Sequence, residues 1–225
     1  MTSREDFTQQ HRIIGKAASW AVFSLTVIYL VTTVLGLLSL KSPQDPIGDP
    51  YFSLMELLTI LIAPLMVVSM VAVHAYASHE AKAYSLTALV FMVLLAGITS
   101  SVHFVVLTVS RQVEAAGLTS AALFFSFQWP SVVYTLDILA WDWFFGISIL
   151  FAAFVFKAGR LEMAVRILMI ISGTLSFVGL IGVPLADMQV KNWFVYRNIG
   201  IIGYAAVAPI AFLLLGFVFG RTHDA

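Results

Sequence analysis

The chain has 225 residues, 60% of them hydrophobic and 11% charged, and its twelve basic and twelve acidic side chains leave no formal net charge. Soluble domains carry roughly 25% charged residues, and here the deficit runs along the whole chain, which excludes a globular protein on an anchor and predicts an integral membrane protein of one domain, 1–225. With no cysteine, disulfides, thiol catalysis and thiolate-held metals are excluded, and no basic tract points to nucleic acid.

A hydrocarbon core of ordinary thickness takes about 20 apolar residues per helix, and six segments satisfy that length, at about 17–40, 51–77, 83–110, 130–157, 161–186 and 193–220. The polar start MTSREDFTQQHRIIGK precedes the first. That apolar stretch is too long for a signal-peptide core and ends in LSLKSPQDP without an A-x-A site, so it is expected to be a retained span. KSPQDPIGDP breaks the chain after it, because prolines lack the amide hydrogen a helix needs. SHEAK is a tight polar turn between spans two and three. RQVEAAGLTSAALFFSFQWP, between spans three and four, predicts a short helix along the membrane interface, with Pro130 opening span four. KAGR and ADMQVKN are short connections.

Lysine and arginine are enriched on the cytoplasmic side of membrane proteins. With an inside N-terminus, that side collects Arg4, Arg12, Lys16, Lys82, Lys157, Arg160, Arg166 and Arg221, against Lys41, Arg111, Lys191 and Arg197 outside. The expectation is therefore an all-α bundle of six spans with both termini inside, in the plasma (inner) membrane.

An ionisable group in hydrocarbon costs roughly 2.5–3.5 kcal/mol even on lenient scales, so each one needs a partner or water. At a rise of about 1.5 Å per residue, Asp137 sits roughly 10 Å, His103 roughly 9 Å, Glu56 roughly 8 Å and Arg197 roughly 6 Å in from the outer ends of four different helices. These four define one polar layer in the outer half. Thr99 and Ser100 share the helix face of His103, and Tyr134 and Trp141 share that of Asp137. Asp142 is deeper and, five residues beyond Asp137, lies about 140° away around an α-helix. One aspartate is thus expected to face the common pocket, and the other a different neighbour or a water-filled edge. Opposite charges at similar depth predict an Asp137–Arg197 pair. The bland alternative for each residue is an interhelical polar lock. Glu56 has a second one, snorkelling to the interface.

The named catalytic and nucleotide-binding motifs are absent. No deep lysine exists for a Schiff base and only one histidine is deep, which argues against retinal and bis-histidine haem. A metal would have to use His103 with Asp137 and Glu56, a ligand set poor in histidine for zinc, and no resident metal or other cofactor is assigned. Two classes of function remain. In the first, Glu56, Thr99, Ser100, His103, Tyr134, Asp137, Trp141 and Arg197 line a site that binds, senses or transports a small solute, a proton or a lipid, an architecture shared with vitamin-capturing membrane subunits by analogy only. In the second, an intramembrane lipid hydrolase uses Ser100, His103 and Asp137 in triad fashion, or a bound metal. The bilayer itself and a small-molecule or lipid ligand are the partners expected. Small-residue stripes, Ser172, Ser176 and Gly179 on span five and Gly203 and Ala206 on span six, allow close helix contact, within the chain or in an oligomer.

Overall fold

The computed structural model describes residues 7–42, 45–118, 122–127, 129–181, 183 and 193–221. Six helices in it are long and apolar enough to cross a membrane: Gln9–Leu38, Tyr51–Tyr76, His79–Val113, Val132–Ala153, Gly159–Ile181 and Val195–Gly220, called spans one to six. The protein is a multi-pass membrane protein, and the helical content expected from hydropathy is what the chain forms. Each span packs on the next and span six returns to span one, closing a ring. Arg12 donates to the Arg221 carbonyl at 3.2 Å, holding the first and last turns side by side.

Span one begins eight residues earlier than hydropathy places it. Thr8 accepts from the His11 amide at 3.3 Å, and the His11 ring reaches back to the Thr8 amide at 3.2 Å. This reciprocal cap fixes a helix start in polar sequence, where hydropathy is blind. Span three likewise runs past its predicted end. Of the expected interfacial segment, Arg111–Ala115 continues span three and Ala122–Phe125 forms a separate short helix. Span four starts one residue after Ser131, whose hydroxyl accepts from the Tyr134 amide at 3.1 Å and donates to the Ser126 carbonyl at 2.5 Å. Asp187, Lys191 and Pro184 fall outside the described residues.

Three spans contain a wide, π-helical turn: Val106–Ser110 in span three, Leu139–Phe144 in span four and Ile202–Val207 in span six. The last has an evident cause. Pro209 follows it, and a proline has no amide hydrogen to donate and crowds the carbonyl four residues back, so the backbone widens ahead of it.

The centre of the ring is apolar, built on Met66, Met70, Met92, Leu95, Phe145, Phe212 and Leu215. At the end that carries the termini, Tyr76 packs against Phe7, Phe156 and Phe219 at ring distances of 5.1–5.9 Å. Its hydroxyl donates to Glu162 at 2.5 Å, and the other Glu162 oxygen accepts the Lys157 and Ala158 amides at 3.0 Å. This buried carboxylate, which sequence reasoning passed over, ties the turn before span five to span two. Opposite, at the far end, Ser53 and Arg111 donate to Asp49 and hold its carboxyl below the usual carboxylate range.

Spans five and six meet through the predicted small-residue stripes. The Ser172 hydroxyl donates to the Gly203 carbonyl at 2.8 Å. One turn pair away, a methyl on Gly179 would stand 3.0 Å from the Gly200 Cα. Ser172, Ser176, Gly179 and Gly203 are buried in this contact, while Ala206 is exposed.

Candidate functional site

The polar layer assembles in the half of the bundle away from the termini. Glu56, His103, Asp137, Asp142 and Arg197 come from spans two, three, four and six, and none is more than 6% exposed. Glu56 therefore does not snorkel to water. At its centre His103 Nδ1 lies 2.6 Å from Glu56 Oε2, and Nε2 lies 3.3 Å from Asp137 Oδ1. One ring thus bridges spans two and four from span three. The first contact has the length of a strong charge-assisted hydrogen bond and the second is at the long limit.

Arg197 does not pair with Asp137. Its Nη1 bonds Asp142 Oδ2, and its guanidinium carbon lies 5.8 Å from the centre of the Tyr134 ring. The expectation failed because it assumed an α-helix throughout span four. In the wide turn Leu139–Phe144, hydrogen bonds run from residue i to i+5. That spacing brings Asp142 back toward the side of Asp137, into the bundle and against span six. The two aspartates do serve different neighbours, as expected, and both neighbours are basic side chains. Asp142 Oδ1 is wedged into the crossing of spans five and six, 2.9 Å from where a β-carbon would stand on either Gly179 or Gly200. Among the described residues that oxygen, Arg197 Nε and Thr99 Oγ1 are buried and have no hydrogen-bond partner.

The remaining predicted residues are distributed around this core. Thr99 is fully buried one turn from His103, and Ser100 is half-buried. Both ring nitrogens of His103 face carboxylates, so neither is turned to Ser100 as a triad would need. Trp141 meets Tyr204 of span six with its ring tilted at 35° and the centres 5.1 Å apart. Tyr134 meets Phe127 edge-on at 5.3 Å, and Phe127 in turn lies 5.4 Å from the His103 ring. Phe125 and Phe127 pack on Val102, Val106 and Val133, and Phe127, just after the short helix, places its ring beside His103. Sequence reasoning missed two tyrosines. Tyr29 of span one is close enough to Glu56 and Asp137 to interact with both charges, and Tyr204 likewise with Arg197 and Asp142. A tyrosine in a membrane span is ordinary, so neither carried a signal.

Among the described residues no three of His, Asp and Glu are placed to hold a metal ion. The geometry explains this: the two carboxylates approach opposite nitrogens of one ring and do not converge on a point. Two open cavities among the described residues lie elsewhere. One of about 480 Å³ is at the end with the termini, and one of about 350 Å³ is beside Leu37 and Leu40.

The arrangement has a definite proton chemistry. A ring facing a carboxylate at each nitrogen satisfies both contacts as imidazolium, donating twice. It also does so as neutral imidazole, donating to one carboxylate and accepting from the other as a carboxylic acid. The two forms hold the same protons and interconvert with no heavy atom moving. Loss of one proton sets a nitrogen lone pair against a carboxylate oxygen, and one contact must then open. No family model matches the chain, and neither a curated protein nor a solved structure matches it.

Proposed function

We propose that this is a proton-coupled transporter or proton sensor, in which Glu56, His103 and Asp137 bind a proton and pass it along one chain. The observation that carries the reading is the single His103 ring held between two buried carboxylates from different spans, at 2.6 and 3.3 Å. Ionisable groups at this depth are expensive, and a proton path is a recurrent use for them. The five charged groups of the layer are three acids and two bases, so with all of them ionised one further proton brings the layer to neutrality. Proton transfer runs from imidazolium to Asp137, giving neutral His103 and the Asp137 carboxylic acid. On loss of a proton, the longer His103–Asp137 contact opens, which loosens span four from span three and joins protonation to movement.

The reading is tested by infrared difference spectroscopy on the reconstituted protein between acidic and alkaline buffer. A carboxylic-acid band that titrates should appear in the wild type and disappear in either Glu56→Gln or Asp137→Asn. His103→Gln should shift its midpoint. A wild-type spectrum with no titrating carboxyl, or one untouched by all three substitutions, rejects the relay.

The layer faces the outside of the cell in this proposal, because basic residues concentrate toward the termini. A cysteine placed at His79, exposed in the turn between spans two and three, should resist an impermeant thiol reagent in intact cells and react once the membrane is opened. Labelling in intact cells reverses the orientation.

A further inference from the structure

At the end with the termini, spans one and six border an open cavity of about 480 Å³, lined by Phe7, Gln9, Arg12, Ile13, Lys16 and the last two residues of span six, Phe219 and Gly220. Two features make it more than a crevice. Among the described residues its charged groups are both cations, and no carboxylate lies within ion-pair distance of either Arg12 or Lys16. Both also stand over aromatic rings: the Arg12 guanidinium carbon is 5.8 Å from the centre of Phe7, and Lys16 Nζ is 4.5 Å from that of Trp20. Arg12 gives one donor to the Arg221 carbonyl, and a guanidinium has five. Four residues apart, Arg12 and Lys16 project from the same face of span one.

The depth is that of a membrane interface. From Lys16 to the end of span one at Leu38 the helix rises roughly 33 Å at 1.5 Å per residue, about the thickness of a hydrocarbon core. Below the cations the surface turns apolar. Phe217 of span six is exposed there and its ring meets Trp20 at 5.5 Å, while the exposed Ile13 and Ile14 flank the cations at their own level. A basic head cavity continuous with an apolar, bilayer-facing seam fits a molecule with a phosphate head and an acyl tail.

We infer that Arg12 and Lys16 hold the phosphodiester of an anionic glycerophospholipid at the junction of spans one and six. An uncharged polyol head group fits better than a zwitterionic one. A choline or ethanolamine head would bring an ammonium group beside two cations, with no carboxylate among the described lining residues to receive it. The inference does not depend on the proton relay, which lies in the other half of the bundle.

The test is native mass spectrometry of the full chain with phosphatidylglycerol or phosphatidylcholine added in detergent. The wild type should retain one phosphatidylglycerol in preference to phosphatidylcholine. At about 1 kcal/mol per basic residue near an anionic surface, Arg12→Gln or Lys16→Gln should weaken retention about five-fold, and the double variant roughly thirty-fold. Arg12→Lys and Lys16→Arg keep the charges and should keep the lipid, which separates charge from any loss of packing on Phe7 or Trp20. Excess inorganic phosphate should leave the lipid bound, because it cannot replace the acyl contact. Equal retention of the two lipids, retention unchanged in the double variant, or displacement by inorganic phosphate overturns the assignment, the last in favour of a site for free phosphate.

Discussion

Arg197→Gln and Asp142→Asn should each destabilise the protein by about 3–5 kcal/mol, and the double variant should recover a large part of the sum. The reason is the burial of both groups. Arg197 is 4% exposed and Asp142 fully enclosed, and removing one partner of a buried pair strands the other without water or counter-charge. A double-mutant cycle isolates that coupling. Thermal or denaturant unfolding in detergent should give a larger coupling for Asp142 with Arg197 than for Asp137 with Arg197, since Asp137 is engaged with His103. The opposite order would mean that the charges pair as depth alone suggested. A further variant separates stability from use. The pair is incomplete, with Asp142 Oδ1 and Arg197 Nε both without partners, so its attraction only partly offsets the desolvation of two ions. Asp142→Leu with Arg197→Met removes both charges at similar volume and should be close to neutral for stability.

The second large effect is expected at the crossing of spans five and six. Gly179→Ala places a methyl 2.9 Å from Asp142 Oδ1 and 3.0 Å from the Gly200 Cα. The carboxylate is already bonded to Arg197 and the other atom is backbone, so neither neighbour yields without shifting a helix. Overpacking of this kind costs about 1–3 kcal/mol, and sometimes more. Gly97→Ala is the control. A methyl there meets nothing within 4 Å, and alanine favours an exposed helix position by up to about 1 kcal/mol over glycine. The two melting shifts should have opposite signs. Similar shifts would show that the crossing is loose, and the wedged position of Asp142 would lose its structural basis.

The number of helices was legible because the bilayer imposes length and apolarity together, and few soluble sequences imitate that. The polar layer was legible for a related reason. A charge in a span is so costly that its mere presence marks a constraint, and a uniform rise per residue converts sequence position into depth. Glu56, His103 and Asp137 could be grouped by that arithmetic alone. Who bonds whom could not, because pairing depends on direction around the helix, and one extra residue in the turn at Leu139–Phe144 rotates Asp142 away from its α-helical position. Hydropathy also could not see the cap at Thr8, which is made by two polar side chains, or Glu162, which lies in the first turn of span five, where a carboxylate looks ordinary until its three partners are in place.

The wide turn in span four also changes what that helix is as a surface. A single inserted residue turns one half of the helix by about 100° relative to the other. On an uninterrupted α-helix Phe145, Ile149 and Ala152 would fall about 100° around from Val133 and Asp137; the insertion brings all five buried residues onto one face. Span four thus presents one continuous buried stripe that an uninterrupted α-helix of the same sequence would split in two. Deleting one residue of the wide turn would swing Val133 and Asp137 out of register with Phe145, Ile149 and Ala152, separating the polar layer from the core beneath it.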